Sequence, residues 1–277
     1  MPTTTIHPPR SRTERVGDVL VTAEPGVVRA VIDRPTHRNA INTAVVAGLE
    51  HAVALATSRR AHVLLITGAG GTFCSGADLH ELAALRAERD QFSRLGAFME
   101  RLENVLVALH KGPFVSLAVV DGYAVAGGCE ILLFCDISVA ATDARIGDRH
   151  AEYGLVPAAG GSVNLVRTLP TARANYLLLT GELISGQQAA AWGIVSTAVE
   201  PGHLAETTER VLGRLTSRSH DALVATKNLI ADANRLERDE ALRRERETFV
   251  RHLASADVAE GLAAFRERRA PLFPTSW

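Results

Sequence analysis

Two glycine-rich segments about fifty residues apart constrain this chain more than any other feature, because each follows an apolar, strand-like run. The first is Gly68-Ala69-Gly70-Gly71-Thr72-Phe73-Cys74-Ser75-Gly76-Ala77-Asp78-Leu79, after 62–67. The second is Asp121-Gly122-Tyr123-Ala124-Val125-Ala126-Gly127-Gly128-Cys129-Glu130, after 114–120. Each ends where a helix is expected to begin, so each offers backbone N–H groups to one common space. Two such donors can hold a developing oxyanion, with Glu130 beside it as acid or base. Glu130 has Cys129, Ile131, Leu132 and Leu133 as neighbours, and a carboxylate on so apolar a helix is costly unless it is paired or functional.

The rest of the pattern is strand–helix alternation. Residues 16–32 read as a hairpin around Glu24-Pro25-Gly26, and 43–58 as a helix with Thr43 as its cap. Residues 78–109 read as largely helical with a break near Gly96, and 128–134 as an apolar helix before a strand at 137–140. Helices are expected at 171–180 and 185–192, and a last strand at 194–199. Strands alternating with helices predict an α/β fold with parallel crossovers. Beyond 200 only helical patterns remain: 203–217, 221–234, 237–253 and 257–269. The expected division is a flexible tail over 1–16, a core over 17–200 and a helical region over 201–277.

Composition excludes several classes. A formal net charge of -1 gives no field that favours nucleic acid or an anionic membrane. No apolar run approaches the roughly 18 residues that span a bilayer. The first fifteen residues are polar, with three prolines and no apolar stretch, and do not read as a secretory signal. The three cysteines, Cys74, Cys129 and Cys135, sit in apolar or glycine-rich runs and match no zinc spacing; a reduced, cytoplasmic protein is expected. Gly71 and Gly76 have P-loop spacing, but Ala77 stands where lysine is needed. Phe73 replaces the third glycine of a dinucleotide fingerprint, and Asn164 replaces the closing glycine of a nucleophile elbow.

Four motifs in register resemble the crotonase family, the enoyl-CoA hydratase/isomerase superfamily. They are Arg34-Pro35-Thr36-His37-Arg38-Asn39-Ala40-Ile41, the stretch from Phe73 to Leu79, the segment ending at Glu130, and Gly154-Leu155-Val156-Pro157-Ala158-Ala159-Gly160-Gly161. The resemblance implies a spiral core of ββα turns with an acyl-CoA site, then a C-terminal all-helical region that builds trimers or hexamers as dimers of trimers. It places the oxyanion hole at the N–H groups of Ala77 and Gly127, where losing one donor costs about 3 kcal/mol of transition-state stabilisation. It lines the CoA channel with Arg38, Ala40, Asp78 and Leu79, with Asp78 also suited to cap the following helix. Leucines and phenylalanines over 80–100 are expected to shape the acyl pocket.

The resemblance assigns catalysis to two glutamates. Glu130 matches the first; the second falls on His150, with Asp148, Arg149 and Glu152 nearby. Glu130 with His150 could still add water across a double bond, since histidine titrates near neutrality. The resemblance therefore implies a hydratase-like enzyme acting on an acyl-CoA substrate, with coenzyme A as part of the substrate, no separate cofactor and no metal. A crotonase-fold hydrolase, decarboxylase or isomerase, or an impaired acyl-CoA-binding homologue, are the alternatives. Histidines such as His7, His51 and His62 carry no expected chemical role.

Overall fold

A computed structural model describes residues 12–274. Three antiparallel strands open the chain: β1 (Arg12–Val16), β2 (Val19–Glu24) and β3 (Val27–Ile32). Helix α1 (Thr43–Ser58) then crosses to β4 (Val63–Gly68), which pairs in parallel with β3. Helices α2 (Leu79–Arg86) and α3 (Gln91–Lys111) lead to β5 (Val115–Val120), parallel to β4. After β6 (Tyr123–Val125) and α4 (Gly127–Phe134) comes β7 (Ile137–Ala141), again parallel. The chain continues through β8 (Arg145–Gly147), α5 (Gly161–Thr168), α6 (Thr171–Thr180), β9 (Ile184–Ser185) and α7 (Gly186–Trp192) to β10 (Thr197–Val199). Four helices complete it: α8 (Leu204–Thr216), α9 (His220–Ala233), α10 (Arg238–His252) and α11 (Ala256–Glu267).

The main sheet has seven strands in the order β1-β2-β3-β4-β5-β7-β10, and β6, β8 and β9 form a second, small sheet. Position in the main sheet follows side-chain chemistry. β5 is Val-Ser-Leu-Ala-Val-Val and is buried at all six positions, which suits a strand covered on both faces. β2 buries Val19 and Val21 and leaves Leu20 and Thr22 half-buried on the other face, as period-two alternation requires. The expected α/β fold and helical C-terminal region are both present, and no strand lies beyond Val199 among the described residues.

Three local expectations are corrected. The expected tail over 1–16 reaches too far: residues 12–16 are strand β1, while 1–11 lie outside the described residues. β1 is an edge strand with Arg12, Glu14 and Arg15 on it, so it has no apolar run to read. Glu14 Oε1 lies 2.7 Å from His51 Nε2, which ties β1 to α1 and gives that histidine a structural use. The cap of α1 is Asn42, whose side chain accepts the Val45 N–H at 2.8 Å, and not Thr43. The break in the long helical stretch falls at 87–90 rather than near Gly96, which α3 accommodates.

The helical region is anchored through charge. Lys227 of α9 places Nζ 2.7 Å from Asp136 Oδ2 and donates to the carbonyls of Leu109 and Phe114 at 2.7 and 2.8 Å. By contrast α10 buries no residue, and Leu242, Phe249 and Val250 on it are exposed, as are Leu262 and Phe265 of α11. Among the described residues no helix is long and apolar enough to cross a membrane.

Candidate active site

The two glycine segments are stitched together by backbone hydrogen bonds. Phe73 donates to the Asp121 carbonyl, Cys74 to Tyr123 and Val125 to Cys74, at 2.8, 2.8 and 3.0 Å. The approach is close enough to require glycine at 128, where a Cβ would stand 2.2 Å from the Cys74 carbonyl oxygen. Burial pushes the Cys74 thiol up to about 12 and also raises Cys129. Both behave here as small apolar packing groups.

Ala77 and Gly127 meet where the segments touch. Ile41 donates to the Gly76 carbonyl and accepts from Asp78, at 2.7 and 2.8 Å, so the Ala77 N–H between them points away from Ile41. Gly127 opens α4, so its N–H has no acceptor within the helix. A Cβ on Gly127 would lie 3.5 Å from the Ala77 nitrogen, which makes the two amides neighbours. Ala126, just before them, has φ 50° and ψ −118°, a conformation that a non-glycine residue adopts only under strain.

Ala77, and Ala126 just before Gly127, border a cavity of about 500 Å³ whose wall also includes Val125, His150, Tyr123 and Tyr153; Gly127 itself is buried behind it. That volume is suited to a small-molecule site. Arg38, Ala40, Asp78 and Leu79 also line it. Arg38 is exposed with φ 50°, and its carbonyl accepts the Ser75 N–H at 3.1 Å. The Asp78 carboxylate is already committed: Oδ1 caps α2 by accepting from His80 and Glu81, and Oδ2 pairs with Arg34 at 3.0 Å. Burial opposes its ionisation, but the Arg34 guanidinium and the two capping N–H groups outweigh it and hold the carboxyl below the usual range.

Of residues 80–100, His80 alone is on this wall. Phe98 is instead buried in the core and Phe92 is 85% exposed, so neither lines this cavity.

Glu130 stands behind the wall and not on it. It is 2% exposed, and its Oε1 accepts the N–H groups of Ala159 and Gly161, both at 2.9 Å. His150 opens the helical turn over 150–153 and faces the cavity. Its Nδ1 lies 2.8 Å from Asp148 Oδ2, and its backbone N–H donates to Asp148 Oδ1 at 3.0 Å. Burial lowers the imidazole's affinity for a proton, but the Asp148 hydrogen bond and charge, with the Glu130 charge, raise it above the ordinary histidine value. The structure thus brings Ala77 and His150 to one cavity, with Gly127 beside Ala77 and Glu130 behind the wall.

Three supporting residues escape a reading by motif alone. Asp148 is the partner of His150. Asn39, buried with φ 55°, donates from Nδ2 to the Ala69 and Thr72 carbonyls at 2.8 and 2.5 Å and fixes the first glycine loop. Arg34 reaches Asp18, Asp78 and the Ala40 carbonyl at once. The signal available for Asp148 was its place two residues before the histidine; Asn39 and Arg34 act through partners distant in sequence.

A larger hollow of about 1040 Å³ lies beside α9, but it offers no counterpart to the Ala77 and Gly127 amides, and the charges of Lys227 and Asp136 there satisfy each other.

The sequence matches the enoyl-CoA hydratase/isomerase family model over residues 22–276. It is 33% identical over 259 residues to the 2,3-dehydroadipyl-CoA hydratase of Escherichia coli, covering 93% of this chain and 99% of that protein. It is 35% identical over 256 residues to the mitochondrial enoyl-CoA hydratase domain-containing protein 2 of Bos taurus, covering 90% and 84%. The crystal structure of an enoyl-CoA hydratase from Polaromonas sp. JS666 superposes with a TM-score of 0.87 at 32% identity, over 92% of this chain and 99% of the other.

Proposed function

This chain belongs to the enoyl-CoA hydratase/isomerase family, and from that premise we propose that it is an acyl-CoA-processing enzyme that adds water to an enoyl thioester. The observation that carries the reading is the apposition of the Gly127 amide to that of Ala77, which lies on the wall that also presents His150. The thioester oxygen sits between the two N–H groups. Water oxygen bonds to C3, the C2–C3 π electrons move to make an enolate, and the two fixed amides bear the charge that develops on oxygen. Glu130, its Oε1 held by two N–H donors, accepts the water proton. His150, whose charged form Asp148 favours, delivers a proton to C2. Return of the proton from Glu130 to His150 restores both groups.

Coenzyme A enters as part of the substrate, so no separate cofactor is invoked. Arg38 at the rim meets a CoA phosphate, and the segments at Ala40, Asp78 and Leu79 border the CoA channel. The uncovered apolar side chains of α10 and α11 are suited to a homotrimer, alone or paired into a hexamer. The three unpaired cysteines favour a cytoplasmic setting.

A second reading, thioester hydrolysis, is favoured by the histidine–aspartate pair standing where the family resemblance expects a glutamate. One experiment separates them: purified protein is incubated with a panel of enoyl-CoA, hydroxyacyl-CoA and malonyl-type thioesters, and products are followed by mass. Water addition to crotonyl-CoA that is lost in both Glu130→Gln and His150→Ala supports hydration. Free CoA release supports hydrolysis, and binding without turnover of any thioester overturns both.

A further inference from the structure

The second acidic group near the cavity is spent wholly on the histidine. Asp148 is 1% exposed, its Oδ1 accepts the His150 backbone N–H, and its Oδ2 faces His150 Nδ1 at 2.8 Å. A carboxylate oxygen only accepts, so this contact requires a hydrogen on Nδ1. Since His150 lines the cavity, Nε2 is the ring nitrogen left to meet a ligand.

We propose that Asp148 is a positioning residue: it holds His150 as the Nδ1–H tautomer and aims Nε2 into the cavity as the atom that exchanges the proton. The inference rests on the reading of His150 above, and it adds the tautomer, the working atom and the group that sets both. A buried carboxylate fixing an imidazole is a recurrent device for choosing which nitrogen reacts.

The surroundings leave few competing influences. From α4 the charged group acting on the imidazole is Glu130. From α5 the approach is made by Gly161, where a Cβ would stand 3.1 Å from Asp148 Oδ2. Within the turn itself Arg149 pairs with Glu152. α6 packs against the turn and carries Arg173, whose guanidinium lies 4.8 Å from the Trp192 ring centre. The two carboxylates are thus what bias His150 towards its charged form, and Asp148 is the one that also orients it.

The plain alternative is that Asp148 only caps the turn at His150, as short acidic side chains often do. Asp148→Asn separates the two roles, because its amide oxygen can still accept the His150 N–H while its NH2 can no longer accept from Nδ1. The test uses the full chain, with nitrogen-15 labelled histidine read by NMR over a pH titration, beside steady-state kinetics on crotonyl-CoA. In the wild type above its titration, His150 is expected to show a protonated Nδ1 and an unprotonated Nε2. In Asp148→Asn the tautomer is expected to reverse or mix, and the His150 titration and the matching limb of the kcat profile to move to lower pH. KM is expected to hold within about twofold while kcat falls roughly 10- to 100-fold.

An Nε2–H tautomer in the wild type would overturn the proposal without any variant, so it stays testable even if Asp148→Asn folds poorly. An unchanged tautomer and titration in Asp148→Asn would also overturn it. Full activity in His150→Ala would overturn Nε2 as the proton-exchanging atom and with it the reading of His150 above, even if the tautomer shift is still present in Asp148→Asn.

Discussion

Gly161 donates its N–H to Glu130 Oε1 at 2.9 Å, and a Cβ on Gly161 would stand 3.0 Å from that same oxygen and 3.1 Å from Asp148 Oδ2. One residue therefore anchors Glu130 and leaves room for both carboxylates. Gly161 starts α5 without a positive φ, so Gly161→Ala meets no left-handed backbone strain. The new methyl must instead push the carboxylates aside. Thioester turnover is expected to fall about tenfold, with unfolding free energy within about 1 kcal/mol of wild type. Initial rates and urea unfolding measure the two; unchanged turnover would show that these carboxylate positions do not set the rate.

Ala126 holds φ 50° and ψ −118° at the entry to α4, and such a conformation costs a non-glycine residue about 1–3 kcal/mol. Ala126→Gly removes that strain but adds freedom to the unfolded chain, worth roughly 0.5–1 kcal/mol against it. A net stabilisation of about 1 kcal/mol is expected in urea unfolding. Destabilisation would mean that the Ala126 methyl contributes packing that exceeds its backbone strain.

Much of this was legible in the sequence, and where it was not the reason is physical. β4 and β5 announce themselves because a strand covered on both faces is apolar along nearly all its length. The burial of Glu130 was foreshadowed by its apolar neighbours on α4. β6, β8 and β9 are two or three residues long, too short for any period to show. They exist because β6, inside the second glycine segment, pairs with β8, and β8 in turn with β9. Helical spacing over 80–100 could not separate a pocket wall from core and solvent, and Phe98 and Phe92 went to the latter two. Asn39 and Arg34 work largely through partners that only the folded chain brings near: the Ala69 and Thr72 carbonyls for Asn39, and Asp18 and Asp78 for Arg34.

Lys227 is the charged peg between the helical region and the sheet. Burial lowers its proton affinity, while Asp136 acts in the opposite sense. Lys227→Met keeps the length of the side chain but leaves the Leu109 and Phe114 carbonyls without that donor and Asp136 without its cation. Breaking a buried pair from one side costs about 3–5 kcal/mol. Urea unfolding is expected to show a loss of that size. A double-mutant cycle with Asp136→Asn should recover part of it; strict additivity would show that the two charges are not coupled.

His62 supplies an acid-sensitive element far from the cavity. It is 2% exposed, its Nε2 lies 3.1 Å from the Arg218 carbonyl oxygen, and its ring meets the edge of His220 with centres 5.5 Å apart. The carbonyl accepts, so Nε2 carries the hydrogen of the neutral ring, and Nδ1 is buried without a partner. Burial and the neighbouring His220 lower its proton affinity below the ordinary 6.5, and the Arg218 carbonyl, Asp221 and Asp257 oppose this without reversing it. Because the folded value is the lower one, the unfolded chain takes up the proton first. The contribution is therefore intact above 6.5 and is lost as pH falls below it. His62→Gln can still donate to the Arg218 carbonyl but does not titrate. The stability lost between about pH 7.5 and about pH 5.5 is expected to be smaller in the variant than in the wild type, with the two within about 1 kcal/mol at the higher pH. Asp221 also has its proton affinity lowered in the fold, by His220 first and then Arg60, so both proteins lose some stability in stronger acid. The wild-type minus variant difference in urea unfolding isolates the histidine, and parallel losses in the two proteins would exclude His62 as the titrating group.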